Sequence, residues 1–269
     1  MREGEELPSP EEARRFLEHA WFEVNGIRLP RVLLGTSPFI GAGQFGSRSY
    51  AYWAAFYNRP ERVAEVIAAA VELGVQGIQP LPYPFLAEAI RRAQALTGEE
   101  LVLAATIGPE DPLADLAIFE GLDVRAALVH GALTDRARSS ELAAIMDDVR
   151  DRGLLAGLVS HSPMRLMRRL SSGELPRPDL LLLPFNAVGY LMDAPARELA
   201  SAIRSLRAPV IGKKVLAAGR LRPEEAFRFA LGLRVLEGIA IGVVSRVEAE
   251  ETFTFLAKVA LELGWPEKG

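Results

Sequence analysis

The chain has 269 residues, 49% apolar and 25% charged, with a formal net charge of −4 and no cysteine. That length suits one barrel domain of roughly 250 residues. The missing cysteines exclude disulfides, thiolate nucleophiles and sulfur-ligated metals. The absence of any Lys/Arg block argues against a nucleic-acid surface.

No apolar run approaches the ~18 residues of a membrane span. The charged start Met1-Arg2-Glu3-Gly4-Glu5-Glu6 does not resemble a signal peptide, so a cytoplasmic location is expected. A helix and a hairpin are expected within residues 1–30. In Trp21-Phe22-Glu23-Val24-Asn25-Gly26-Ile27-Arg28-Leu29, Asn-Gly between alternating apolar positions predicts a type I′ turn.

Short apolar runs then alternate with helical patterns eight times. Strands are predicted at 32–35, 77–81, 101–106, 126–130, 155–160, 180–184, 210–214 and 238–243. They lack clean alternation, as parallel strands buried on both faces do. Helices are predicted at 60–73, 84–96, 140–152, 195–206 and 223–233. Several start on proline and stop near Gly74, Gly98 or Gly153, the usual asymmetry. Eight such repeats without a linker predict one α/β domain over 1–269, a (β/α)₈ TIM barrel. An open doubly wound sheet is the alternative.

The connection at 36–59 is far longer than the usual βα loop of about 2–6 residues. It carries Phe39, Tyr52, Trp53 and four further aromatics. The 36–58 stretch is expected to cover the barrel mouth, with Phe39, Tyr52 and Trp53 against a substrate. Its Gly41-Ala42-Gly43-Gln44-Phe45-Gly46 fits G-x-G-x-x-G but lies far from any helix start, so it predicts a lid hinge, not a phosphate cradle.

Such barrels work at the ends of their strands. Of three histidines, His130 ends strand four and His161 follows strand five; of four lysines, Lys213 and Lys214 end strand seven. His161 is expected against the substrate, with a second reading as a helix cap beside Ser160. Neighbours on a strand point to opposite sides, so one lysine is expected inside the mouth and the other paired with a carboxylate on a flanking helix. An amine there can hold phosphate or act as a nucleophile. No H-x-H or H-E-x-x-H is present, so no metal site is expected.

The order of motifs resembles the aldo-keto reductase family over nearly the whole chain. The carriers are Leu29-Pro30-Arg31-Val32-Leu33-Leu34-Gly35-Thr36 after the hairpin, Glu72-Leu73-Gly74-Val75-Gln76-Gly77-Ile78, and Gly157-Leu158-Val159-Ser160-His161-Ser162. Val210-Ile211-Gly212-Lys213-Lys214-Val215-Leu216 is similar to a family branch with Met-Lys-Pro-Leu, and Ile241-Gly242-Val243-Val244-Ser245-Arg246, followed by Glu248 and Glu250-Glu251, to a phosphate site.

The resemblance implies reduction of a small carbonyl compound by NADPH (or NADH), using an Asp, Tyr, Lys and His tetrad. His130 stands at the histidine position and Tyr83 near the tyrosine. Ile78 or Gln79 replaces the aspartate, and a strand ending Thr106-Ile107-Gly108-Pro109 lacks the lysine. Lys213 is the candidate substitute cation. Ser160 would hold a carboxamide, Lys214 a diphosphate, and Ser245 with Arg246 a 2′-phosphate. Two alternatives stand beside this reading. One is a Schiff-base lyase or aldolase using Lys213 or Lys214. The other is a reductase-like barrel without catalysis that binds a nucleotide or a protein partner.

Overall fold

A computed structural model describes residues 7–266; the charged start at 1–6 and Lys268 lie outside them. A helix at Pro10–His19 precedes the hairpin of β1 (Trp21–Val24) and β2 (Ile27–Pro30). Asn25 and Gly26 both have positive φ, 49° and 79°, as the type I′ turn requires. Eight strands follow: β3 (Val32–Gly35), β4 (Gly77–Gln79), β5 (Val102–Ile107), β6 (Asp123–Val129), β7 (Leu155–Val159), β8 (Leu180–Pro184), β9 (Val210–Lys213) and β10 (Gly238–Ile241). They pair in parallel and close, β10 returning to β3. The closed ring excludes the open-sheet alternative.

Helices at Pro60–Glu72, Pro84–Thr97, Ser139–Asp151, Ala196–Leu206 and Pro223–Gly232 fall within one or two residues of the expected ranges. Proline opens several of them, where its missing N–H has no intrahelical partner to lose.

Side chains divide by strand parity. Leu33, Val102, Ala104, Ala126, Leu128, Leu155, Val159, Leu180, Leu182, Ile211 and Ala240 form an inner cluster. Their neighbours Val32, Leu34, Ile78, Leu103, Ala105, Ala127, Val129, Leu158, Leu181 and Val210 pack outward under the helices. Phe22, Val24 and Leu29 of the hairpin join the inner cluster, plugging one end of the barrel with apolar surface. Each such buried side chain contributes about 1.5–3 kcal/mol. The other end carries the strand termini.

The segment between β3 and the helix at Pro60–Glu72 is not an irregular loop. It holds 3₁₀ turns at Ser37–Ile40 and Gly43–Arg48 and a helix at Ser49–Phe56. Within the stretch expected to be a hinge, Gly41 is closely packed, since a Cβ there would lie 2.5 Å from Trp53 Cβ, whereas Gly43 and Gly46 have open space around them. The helix escapes periodicity because its run, Ser-Tyr-Ala-Tyr-Trp-Ala-Ala-Phe, is apolar on nearly every face. The segment is tied across the mouth by Tyr190 Oη donating to the Gln44 carbonyl (2.6 Å) and Arg48 donating to the Ala218 carbonyl. Arg220 stacks 3.9 Å over the Tyr190 ring.

Candidate active site

A cavity of about 520 Å³ opens at the strand ends, within the usual range for small-molecule sites. Its floor includes Val159, Leu182 and Ala240, the uppermost apolar residues of the inner cluster. Parity decides which polar groups reach it. Continuing the inward series, β4 presents Gln79, β5 Thr106, β6 His130, β7 His161 and β9 Lys213, and all five line the cavity.

Ser160 falls on the outward parity, between Val159 and His161. It is fully buried, is not part of the lining, and donates to Asp135 Oδ1 at 2.5 Å. The expected carboxamide role is therefore not available to it. Asp135 also accepts the His161 N–H at 2.9 Å, so this carboxylate clamps the chain behind the cavity wall.

Both lysines line the cavity, against the expectation that one would leave for a flanking helix. The reason is local backbone. β9 ends at Lys213, and Lys214 has φ +57°, so the chain turns there and strand alternation no longer applies. Neither lysine has a hydrogen bond or ion pair among the described residues. Burial, then the charge of Lys214, holds the Lys213 amine well below its ordinary range; burial also lowers Lys214.

His130 begins a short helical turn, and its Nδ1 accepts the Ala132 N–H at 3.2 Å. An accepting Nδ1 puts the ring proton on Nε2, an assignment made from the hydrogen bond. Burial and then Lys213 lower its pKa, so the ring is a neutral donor at neutral pH. His161 lies edge-on, 5.5 Å between centroids, and is lowered by burial and the same lysines. Gly131 makes this packing possible, since a Cβ there would meet His161 Cδ2 at 2.6 Å.

Where the family resemblance implies an aspartate–lysine pair, a neutral pair stands: Gln79 Nε2 donates to Thr106 Oγ1 at 2.5 Å, both buried. Tyr83 lines the cavity among Tyr57 and Phe85, and burial with Tyr57 raises its pKa. Without a cation beside it, this phenol is a weak acid at neutral pH.

Of the three aromatic residues expected against a substrate, only Tyr52 lines the cavity. Phe39 is fully buried against Phe56 at 5.2 Å, because it closes the core beneath the mouth. Trp53 stacks on the outside between Tyr50 and Tyr57 and is 46% exposed.

The cavity runs outward past Ala218 and Gly219 to Gly242, Val244 and Glu248. Ser245 and Arg246 are outside it. Ser245 caps the final helix by accepting the Glu248 N–H, and Arg246 pairs with Glu72 at 2.6 Å. Glu248, which follows the motif that resembles a phosphate site, occupies this end, its Oε2 accepting the Val244 N–H at 2.8 Å. A carboxylate at that place does not fit a 2′-phosphate, though it suits ribose hydroxyls. Among the described residues no cluster of three His, Asp or Glu is placed to hold a metal, and no helix is long and apolar enough to cross a membrane.

The fold defines a class: a closed parallel eight-stranded barrel preceded by a hairpin, similar in fold to solved structures of aldo-keto reductases. A candidate aldo-keto reductase from Pseudomonas aeruginosa is similar with a TM-score of 0.68 and 17% identity, over 92% of this chain and 98% of that one. An aldo/keto reductase from Brucella melitensis gives 0.61 and 12% over 90% and 98%. A structure described as a candidate 2,5-diketo-D-gluconic acid reductase B gives 0.59 and 13% over 92% of each. Family models and curated proteins give no match to the sequence.

Proposed function

We propose that this chain is an oxidoreductase that reduces a small aldehyde or ketone with NADH, through a rearranged version of the aldo-keto reductase site. The observation that carries the reading is the inward pair of His130 and Lys213 at one mouth, beside a cavity that continues toward Glu248. The donor set fits a dinucleotide without a 2′-phosphate. Lys214 would take the diphosphate and Glu248 the ribose hydroxyls. The nicotinamide, when bound, supplies the hydride.

The protein's own groups do the rest. His130 Nε2–H donates to the carbonyl oxygen, polarising it as a neutral imidazole can without becoming a competing base. Lys213 Nζ delivers the proton that the nascent alkoxide needs, since burial holds its pKa well below the ordinary lysine range and an ammonium of lowered pKa gives up its proton more readily. Tyr83 stays protonated and shapes the wall. The segment tied by Tyr190 and Arg48 limits water at the mouth.

A titration of NADH and NADPH fluorescence against the protein tests this. Binding of NADH tighter than NADPH, followed by NADH oxidation on adding aldehydes, is the expected result. Failure of both nucleotides to bind at millimolar concentration removes the reading.

One observation favours a second reading: Lys213 is an unpartnered amine in a cavity, the state needed to attack a carbonyl and form an imine. Borohydride trapping with aldehydes separates the two. A Lys213 adduct in a protein that ignores NADH would establish the imine reading in place of the reductase.

A further inference from the structure

The barrel centre has an unbalanced charge inventory. Lys213, Lys214, His130 and His161 all line the cavity, and no carboxylate pairs with either lysine. Asp135, the acid near enough to favour the charged form of Lys213, is committed to Ser160 Oγ and the His161 N–H. Two of the three acids on the rim are also engaged, Asp115 accepting from the Gly108 N–H and Glu248 from the Val244 N–H; the third, Glu110, lines the cavity but makes no ion pair with either lysine. The remaining rim groups, Arg48 and Tyr83, add no negative charge at neutral pH. An ammonium without a counter-ion in such a site is costly, so the amine stays neutral until an anion arrives.

We propose that the carbonyl substrate carries a carboxylate, as a short 2-oxo acid does, and that this carboxylate seats on Lys213 and draws a proton into the site with it. The inference rests on the reductase reading for the carbonyl, but on the cavity alone for the acid group. The balance is simple. Binding brings one carboxylate and one proton and converts Lys213 to an ammonium. In the reduction, hydride and that proton add across C=O to give a hydroxy acid and return the neutral amine. A 2-oxo acid carries its carbonyl next to its carboxylate, and the two would address His130 Nε2–H and Lys213, which line the same cavity.

Calorimetric titration of oxalate and pyruvate near neutral pH, without nucleotide and in two buffers of different ionisation heat, reads the proton count directly. The expected result is uptake of about one proton per ligand, with no uptake for acetone. Lys213→Met should weaken binding about tenfold or more and abolish uptake. Lys213→Arg, permanently charged, should keep binding but lose uptake, and it guards against a simple folding defect in the Met variant.

Pyrophosphate and NADH form the other arm. Lysine-dependent uptake with pyrophosphate, but not with oxalate or pyruvate, would assign the lysines to the nucleotide and overturn the proposal. Absence of carboxylate binding at tens of millimolar would also overturn it. Carboxylate uptake without NADH binding would leave the acid subsite standing and reject the reductase reading.

Discussion

The two ends of the barrel are built from the same strands yet follow opposite rules. At the hairpin end, Phe22, Val24 and Leu29 complete the inner cluster, and the neighbouring polar groups are paired: Arg125 bridges Asp123 and the Arg28 carbonyl, and Asn25 reaches Asp179. At the mouth, the next inward layer is Gln79, Thr106, His130, His161 and Lys213, and the lysines are left without partners. The closed end is arranged for stability. The open end gives some of it up to keep basic groups unsatisfied, which is where chemistry is expected.

Substitutions should therefore separate the ends. The largest effect is expected at Lys213. Lys213→Met should lower kcat/KM for carbonyl reduction by about 10²–10⁴, the worth of a positioned proton donor. The same variant should match or exceed the wild type in denaturant unfolding. Phe22→Ala should do the reverse, costing roughly 3–5 kcal/mol by emptying the plug, while nucleotide binding to the remaining folded protein persists. A Lys213→Met variant that unfolds as readily as Phe22→Ala would break the contrast.

The pH dependence sharpens it. Lys213 has a folded pKa well below its ordinary value, so the unfolded chain binds the extra proton. Wild-type stability relative to Lys213→Met should fall as pH drops from about 10.4 toward the folded pKa, then level. His130 and His161 are also depressed, so their contribution is retained above about pH 6.5 and lost below it. Urea unfolding of both proteins across that range checks the slope; a gap independent of pH would contradict it.

Smaller effects belong to the positioning groups. Gly131→Ala forces the His161 ring to move, which should change substrate KM more than kcat in steady-state kinetics. Tyr190→Phe removes one hydrogen bond across the mouth, about 1 kcal/mol, and should speed amide exchange in the Gln44 segment without changing exchange at the hairpin.

Much of the fold was legible because parallel strands buried on both faces must be continuous apolar runs, and these runs ended within a few residues of where the strands end. The site was legible in part, through the same geometry. His130 and Lys213 share an inward parity that counting from Leu128 and Ile211 reveals, and that count also places Ser160 outside. Lys214 resisted this logic because a non-glycine residue at positive φ leaves no sequence mark. The helix at Ser49–Phe56 and the burial of Phe39 were hidden for another reason, since aromatic residues suit a mouth, a stack or a core equally well. The Arg246–Glu72 pair depends on a contact across the fold that local pattern does not encode.

The central claim is that an unpaired Lys213 and a neutral His130 form one reducing centre. The most direct measurement is single-turnover oxidation of protein-bound NADH by a panel of short aldehydes and oxo acids, comparing wild type with Lys213→Met. Rapid oxidation in the wild type, lost in the variant while NADH stays bound, is the predicted result. Equal rates in both proteins, or bound NADH that no carbonyl compound oxidises, would contradict it.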